Sequence, residues 1–590
     1  MKRILFLSMI CVLLAVSIVL AQSHCPPDPP MPTPYPPNPT YTPRPTYTPN
    51  PTYTPRPTYT ATATVTDTPL PTATATCRPT YTPLPTQPTY TPYPTATEYL
   101  TSTPYPTPIS SPMAAFYVDG SCIHNGDGTD PICASATGGE GPFNSLANAR
   151  AAMVGDQSSN SLLFKRGQTF SGQFTVGAHG TAGHPFIISA YGTGDKPVIS
   201  GGSNGILIRE SYIIVDGLHV TGATGAWQAG INVIYPASNI TIQNCLIDYC
   251  DYSGIKALDV NNLLVDSNEA AYCGRVDAYG IDVRRTGSTH NPTGIVIKNN
   301  IVHHTIDYGM VVIGHAPYRI QNVEIYGNES YSNSTGLYLY QVNDSLIYDN
   351  EFHHNYGPSE EYGIAVGGGS NNEFYDNEIY DNHNIAIQFY GDDSYGASSG
   401  NKFYRNFIYG HTEGNGHAIN VVAISPNLAD DNIFSYNIIT GNNVGFAPNG
   451  ADISGGAFYN NTIYGNSRAI DYEWWDTGGW AYRNNIFAEN DYDIYGPNLY
   501  VLDHSYNLYW NSVGGTRVLF DGITYTVVDI TDFEPTAIGL DPKLVNPPDD
   551  LHLLPLSPCI DAGTGVDLIL DFEENPIVGL PDIGAYEYLP

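Results

Sequence analysis

The chain has 590 residues, with 22 Lys+Arg against 57 Asp+Glu and 47 prolines. Length alone would suggest about four domains, but 27 of the prolines fall between Pro26 and Pro112, which excludes a packed domain there and leaves one large folded unit behind a linker. With the five basic and three acidic residues before position 113 set aside, 17 basic side chains face 54 acidic ones. A surface of that sign repels phosphate backbones and anionic headgroups; it speaks against a nucleic-acid or membrane-surface partner and leaves calcium and neutral glycans in play.

In chain order, residues 1–21 read as an export signal: Lys2 and Arg3, then the apolar run Ile4–Ala21, with Val19-Leu20-Ala21 suited to cleavage before Gln22. Left uncleaved, the same run would rise about 27 Å and could anchor the chain in a membrane. Cleavage is the preferred reading, and either outcome places the protein outside the cell, secreted or on its surface. Export permits disulfides. Cys122 and Cys133 flank a Gly/Asn/Asp loop and are expected to pair; Cys250 and Cys273, about one repeat apart, could be stacked neighbours. The pairing of Cys25, Cys77, Cys245, Cys250, Cys273 and Cys559 is left open, and the lack of any Cys-x-x-Cys pair argues against a thiolate metal site.

Residues 22–112 repeat Pro, Thr and Tyr, most regularly in PTYTPRPTYTPNPTYTPRPTYT from Pro39 to Thr60. Proline at this density fixes φ and removes donors, so an extended polyproline II stalk is expected, reaching on the order of 280 Å at ~3.1 Å per residue. Dense threonine suits O-glycosylation.

From about Ser203 the chain repeats. A Gly-Ile-like start recurs at Gly205, Gly230, Gly254, Gly280, Gly309, Gly336 and Gly363, spaced by 25, 24, 26, 29, 27 and 27 residues. Between starts, an apolar strand ends in asparagine, as at Asn244, Asn300, Asn350, Asn377, Asn406 and Asn461. Several short alternating strands per period cannot each bury an apolar face alone, so the coils must stack ~4.8 Å apart. Ile206, Ile231, Ile255, Ile281, Met310, Leu337 and Ile364 then form an inward apolar column. The asparagines should fall at a turn that tolerates left-handed backbone, with their amides bonded along the axis.

This pattern resembles the right-handed parallel β-helix of the pectate-lyase-like superfamily over roughly residues 203–511. Phe116–Gly167, with SLANARAAM as a short helix plugging the first coil, resembles the family's opening, and Asp541–Tyr588 its closing module, so 113–202 is expected to hold the N-terminal cap and first coils and 512–590 the C-terminal cap. The fold expected is therefore all-β, a parallel β-helix solenoid with terminal caps behind a disordered stalk. The resemblance implies polysaccharide lyases, hydrolases or epimerases as relatives, but a fold does not carry an activity with it.

The outward residue two places after each repeat glycine gives a column Asn232, Lys256, Asp282, with Arg284 two further on and Arg285 and Asp277 nearby. Lys and Arg in adjacent coils suit β-elimination of a uronate: a neutral Lys removes the C5 proton while a cation or calcium steadies the carboxylate. The arrangement is similar to that of alginate and chondroitin lyases of this fold. Their calcium ligands have no counterpart here, and Asp282 should raise the Lys256 pKa; a solvated charge ladder is the competing account. The paired acids Asp392-Asp393 suggest hydrolysis more weakly. His303-His304 and His353-His354 lie two coils apart, about 9.6 Å, too far to share a metal. Tyr331, Tyr380, Tyr409 and Tyr464, with Tyr338, Tyr340 and Tyr390 on a neighbouring face and Trp474, Trp475 and Trp480 later, could hold sugar rings or simply support one another. The expectation is a monomeric, exported β-helix that binds a polysaccharide or other glycan and cleaves it by elimination, with calcium as the one cofactor in view. The alternative is a non-catalytic display or adhesive rod.

Overall fold

The computed structural model describes residues 114–589, apart from 275–277, 288–290, 316–318, 358–359, 392–395, 424–428, 451–454, 473–479, 497–502 and 567. The expected export signal and stalk lie outside the described residues, as do Asp277, Asp392-Asp393, Trp474 and Trp475. Among the described residues, three long sheets of 15, 14 and 16 strands run the length of the molecule; they are called here the first, second and third sheets. One coil shows the plan: Ser253–Leu258 lies in the third sheet, Asn261–Asp266 in the first and Glu269–Ala271 in the second, before Ile281–Arg284 returns to the third. Each strand pairs in parallel with its copies one coil before and after, as Ile255 with Ile281, Ile281 with Met310, Met310 with Leu337 and Leu337 with Ile364. All five of these side chains are fully buried, which is the inward column expected from the repeat. No helix among the described residues is long and apolar enough to cross a membrane.

The repeat glycines mark where one coil's corner lies against the next. A Cβ on Gly336 would stand 2.6 Å from the Gly363 carbonyl oxygen and 2.8 Å from the Phe352 ring; on Gly254 it would stand 2.7 Å from the Gly280 oxygen. Backbone cannot yield to such an intrusion as a flexible side chain can, so close approach selects glycine.

Asparagine supplies the second constraint. The Asn350 backbone N–H and Nδ2 both donate to Asn377 Oδ1 (3.1 and 3.0 Å), and Asn377 does the same to Asn406 (3.2 and 2.9 Å). Nδ2 of Asn377 also donates back to the Ile347 carbonyl at 2.9 Å. This ladder runs from Asn268 to Asn507 and ends on the buried Glu534 carboxylate, which accepts from Asn507 N and Nδ2 at 2.8 and 3.0 Å. A parallel ladder passes through Asn333, Asn355, Asn382, His411, Asn442, Asn466 and Asn490. A shorter one joins Ser345, Asn372, Asn401 and Asn432.

Two details differ from the expectation. The left-handed backbone belongs to the residue before each ladder asparagine, as at Asn299, Asp349, Asp376, Arg405 and Asn460; the ladder residue itself is buried, where only an inward amide can reach the next coil. Asn244 is consequently one residue out of step. It is exposed with φ of 52°, its Nδ2 donates to Asp216, and buried Cys245 holds the ladder position.

At the N-terminal end, Leu146–Ala152 forms the expected helix; Ser145 caps it by accepting the Asn148 N–H, and Leu146 and Ala149 join the core. Cys122 and Cys133 form the expected disulfide. At the other end, the antiparallel pair Val518–Phe520 and Ile523–Tyr525 and the short helix Ile530–Phe533 meet the last coils. The segment expected as the closing module packs to one side, with Leu544, Leu551, Leu553 and Ile583 against Ile438, Ile486 and Leu508 of the second sheet.

Removing a ladder amide strands its neighbour's donors in the interior. Asn377→Ala is expected to lose about 3 kcal/mol of stability, since each unsatisfied buried group costs roughly 1–3 kcal/mol. Asn244→Gly, at an exposed left-handed position, should change the chemical denaturation midpoint little. His411 gives a pH-linked counterpart. It is fully buried, accepts from Asn382 Nδ2 at Nε2 and so donates from Nδ1 to Asn442, and burial pushes its pKa down from 6.5 to about 4. Between those values the unfolded chain binds a proton that the folded one does not. The stability this site contributes is therefore fully present above pH 6.5 and is lost as pH falls toward 4, by about 3 kcal/mol. His411→Asn, matching the rest of the ladder, should lessen the denaturation midpoint's dependence on pH across that window; what remains is expected from His417, which burial likewise pushes down to about 4.

Candidate functional site

The outward column of the third sheet is in register as expected: Asn232 pairs with Lys256 and Lys256 with Asp282. These outward side chains are nonetheless buried, Asp282 completely and Lys256 to within 4%. Aromatic side chains that enter each third-sheet strand wall them in. Lys256 Nζ lies 4.5 Å from the Tyr252 ring centre and donates to the Trp227 carbonyl at 3.1 Å. Arg284 rests on Tyr279 at 4.7 Å. The rings continue as a column, with Trp227–Tyr252, Tyr252–Tyr279, Tyr279–Tyr308 and Tyr308–Tyr338 centres 5.1–5.8 Å apart.

Within this wall the charges form a compact triad. Arg284 Nε donates to Asp282 Oδ1 at 2.5 Å, Ser253 Oγ donates to Asp282 Oδ2 at 3.3 Å, and Lys256 Nζ stands 3.9 Å from the same Oδ2. Burial pushes the Lys256 ammonium below the ordinary lysine range and outweighs the opposite pull of Asp282. Asp282 acts in the expected direction, but burial makes the net shift the opposite of the one expected. Burial likewise pushes Asp282 up, against Arg284 and Lys256. Asn232 donates through Nδ2 to Asn204 Oδ1 (2.8 Å) and Gln228 Oε1 (3.1 Å). Two polar atoms of the cluster, Asn232 Oδ1 and Arg284 Nη2, are buried without a hydrogen-bond partner among the described residues.

Of the other residues expected at the site, Arg285 is engaged in its own loop, with Nη1 donating to Asn291 at 2.8 Å. Tyr338 stands two strands beyond Asp282 through Val311 and extends the aromatic column, with Tyr340 beside it at 6.2 Å. The walling residues Trp227, Tyr252, Tyr279 and Tyr308 did not enter the sequence expectation. Tyr279 and Tyr308 each directly precede a repeat glycine, and that position was the available signal. Trp227 is 61% exposed and has φ of 62°, a backbone conformation that is a true outlier for so bulky a residue.

The remaining aromatics support one another. His303, Tyr331, His353, Tyr380 and Tyr409 stack face to face at 4.8–5.1 Å with interplanar angles of 2–11°. Tyr326, Tyr348, Tyr375 and Tyr404 do so on the first sheet at 4.8–5.0 Å. Their faces are spent on each other, leaving edges and hydroxyls outward, so the stripe does not offer sugar-stacking platforms. Tyr464 is cut off from Tyr409 by Thr440. Tyr390 bonds Tyr362 hydroxyl to hydroxyl at 2.8 Å. Trp480, expected outside, is 1% exposed and packs edge-on to Phe446. The buried Cys250 and Cys273 are both free thiols and occupy equivalent places in adjacent coils, each two residues past the paired Asp248 and Ala271.

With this geometry in view, residues 189–331 and 280–467 match the family described as right handed beta helix region. The described residues between those bounds carry the parallel β-helix that this family describes. No curated protein matches the chain. Among solved structures it is similar to the GH136 lacto-N-biosidase from Eubacterium ramulus, at 15% identity over 55% of this chain and 64% of that one, with a TM-score of 0.40. It is also similar to pectate lyase Pel9A, at 15% identity over 81% and 97% with a TM-score of 0.27. For alginate lyase from Paenibacillus sp. str. FPU-7 the values are 17% identity, 50% and 92%, and 0.32. The chain thus spans less than two thirds of the lacto-N-biosidase, and likenesses at this level say nothing of activity.

The triad makes a structural claim that can be checked alone. Asp282→Ala would leave the Lys256 and Arg284 charges buried without their counter-ion, and breaking one side of a buried pair typically costs about 3–5 kcal/mol. Equilibrium unfolding should show a loss of that order.

Proposed function

We propose that this is an exported, monomeric β-helix, carried on the 22–112 stretch as a stalk, that binds an extracellular polysaccharide at the outward face of the third sheet and cleaves it by β-elimination. One observation carries the reading. A lysine whose ammonium is disfavoured by burial sits beside an arginine that spends Nε on Asp282 and leaves Nη2 without a partner. Lys256 is the base that takes the C5 proton of a uronate. As the C4–O bond breaks, the electron pair forms the C4–C5 double bond and the leaving oxygen takes a proton from water. Arg284 Nη2 takes the uronate carboxylate and steadies the charge that develops there. Asp282 positions both basic side chains. The Lys256 bond to the Trp227 carbonyl must open for Nζ to reach a sugar, and the outlying backbone of Trp227 lowers the cost of that step.

A second reading, a non-catalytic display or adhesive rod, is favoured by the triad's closure under Trp227 and Tyr252. Incubation with a panel of uronate and neutral polysaccharides separates the two. Elimination is expected to give ultraviolet absorbance from unsaturated uronate ends, reduced by roughly 10²–10⁴-fold in Lys256→Ala. Full activity in that variant removes the assignment. New reducing ends without absorbance indicate hydrolysis, and binding without products supports the rod.

A further inference from the structure

On the second sheet, away from the triad, Glu329, Glu351 and His353 come from two adjacent coils and bring one ligand atom each within 4.8 Å of one another. His353 Nε2 lies 3.3 Å from Glu329 Oε1 and 3.7 Å from Glu351 Oε1. Ligands held about 2.1 Å from a tetrahedral ion are about 3.4 Å apart, so these separations suit a single small ion with little rearrangement.

The imidazole is already fixed in direction. Its ring is sandwiched between Tyr331 (5.1 Å, 11°) and Tyr380 (4.8 Å, 2°), and its other nitrogen, Nδ1, is 2.8 Å from His354 Nδ1. Tyr380 donates its hydroxyl to Glu351 Oε1 at 2.5 Å. A ligand histidine held through its far nitrogen, and a ligand carboxylate held by a donor, are the outer supports that metal sites use. Strand register adds a further pressure. Glu329 pairs with Glu351 and Glu351 with Glu378, and like charges opposite one another on adjacent strands repel; a cation between the first two relieves that. The side chains of both glutamates remain about 40% exposed while His353 is 12% exposed, so an ion can enter from solvent and keep open positions.

The protein contains its own comparison. Two coils earlier, His303 and His304 repeat the pair with Nδ1 atoms 2.7 Å apart, and His303 Nε2 lies 3.4 Å from Glu269. There Ile301 occupies the strand place that Glu351 fills, and the second carboxylate is missing.

We infer that Glu329, Glu351 and His353 form a binding site for a divalent transition ion of the zinc type. The imidazole selects against calcium, which takes oxygen ligands alone. The test is titration of the full chain, stripped with chelator, with zinc chloride against a chromophoric zinc indicator, with calcium chloride as competitor. The unmodified protein should take up one equivalent that calcium does not displace. Glu351→Gln, which keeps an acceptor for Tyr380, and His353→Ala should each weaken uptake by at least about tenfold. His303→Ala should leave it unchanged, and Ile301→Glu should create a second equivalent. Wild-type affinity in Glu351→Gln, displacement by calcium, or equal losses in His303→Ala and His353→Ala would overturn the site. Thermal melts of each variant distinguish lost ligation from lost folding.

Discussion

Stacking at a fixed spacing of ~4.8 Å between parallel strands governs everything else in this molecule. A coil that repeats in register puts identical side-chain positions directly above one another, and each position must then tolerate a copy of itself. Apolar residues do so by dispersion, as the Phe374, Phe403 and Phe434 rings show with centres 4.3 and 4.9 Å apart. Asparagine does so because one amide carries both a donor and an acceptor, and thus closes a bond with the copy above and the copy below. Charged residues repeat only against mutual repulsion: Lys256 is followed by Asp282 in the next coil, whereas Glu329, Glu351 and Glu378 stand in one column.

This constraint also explains which parts of the architecture were legible in the sequence. The repeat glycines, the inward column from Ile206 to Ile364 and the asparagine ladder each recur because the same backbone contact recurs, so one chain already shows the pattern many times over. The errors came where a local choice broke the period. Cys245 replaces the ladder asparagine and leaves Asn244 beside it as a decoy, because the preceding left-handed position also favours asparagine. Trp480 looked like a surface tryptophan by proximity to Trp474 and Trp475, but it begins a first-sheet strand and points inward.

The candidate site was legible by register and not by burial. Counting two residues past each glycine placed Asn232, Lys256 and Asp282 in one column correctly, since register is set by the repeat. What the count cannot give is the height of the wall around them, because the aromatics come from the corner segments, which vary in length from coil to coil. That burial reverses the direction of the Lys256 shift: at full exposure the nearest charge would decide it, whereas behind Tyr252 and Trp227 the lost hydration is the larger effect.

The same reasoning separates the two histidine pairs. They looked equivalent in sequence, and both stack into one aromatic file along the second sheet. Their difference lies in the residue two places earlier in the strand, isoleucine at 301 and glutamate at 351, whose side chains face the same way as the histidines because strand side chains alternate. A stack of coils therefore builds a convergent ligand set by changing a single position in one repeat, with the surrounding rings already in place. In such a fold, binding chemistry arises where the period is interrupted, and the regular positions supply the rigid frame that aims it.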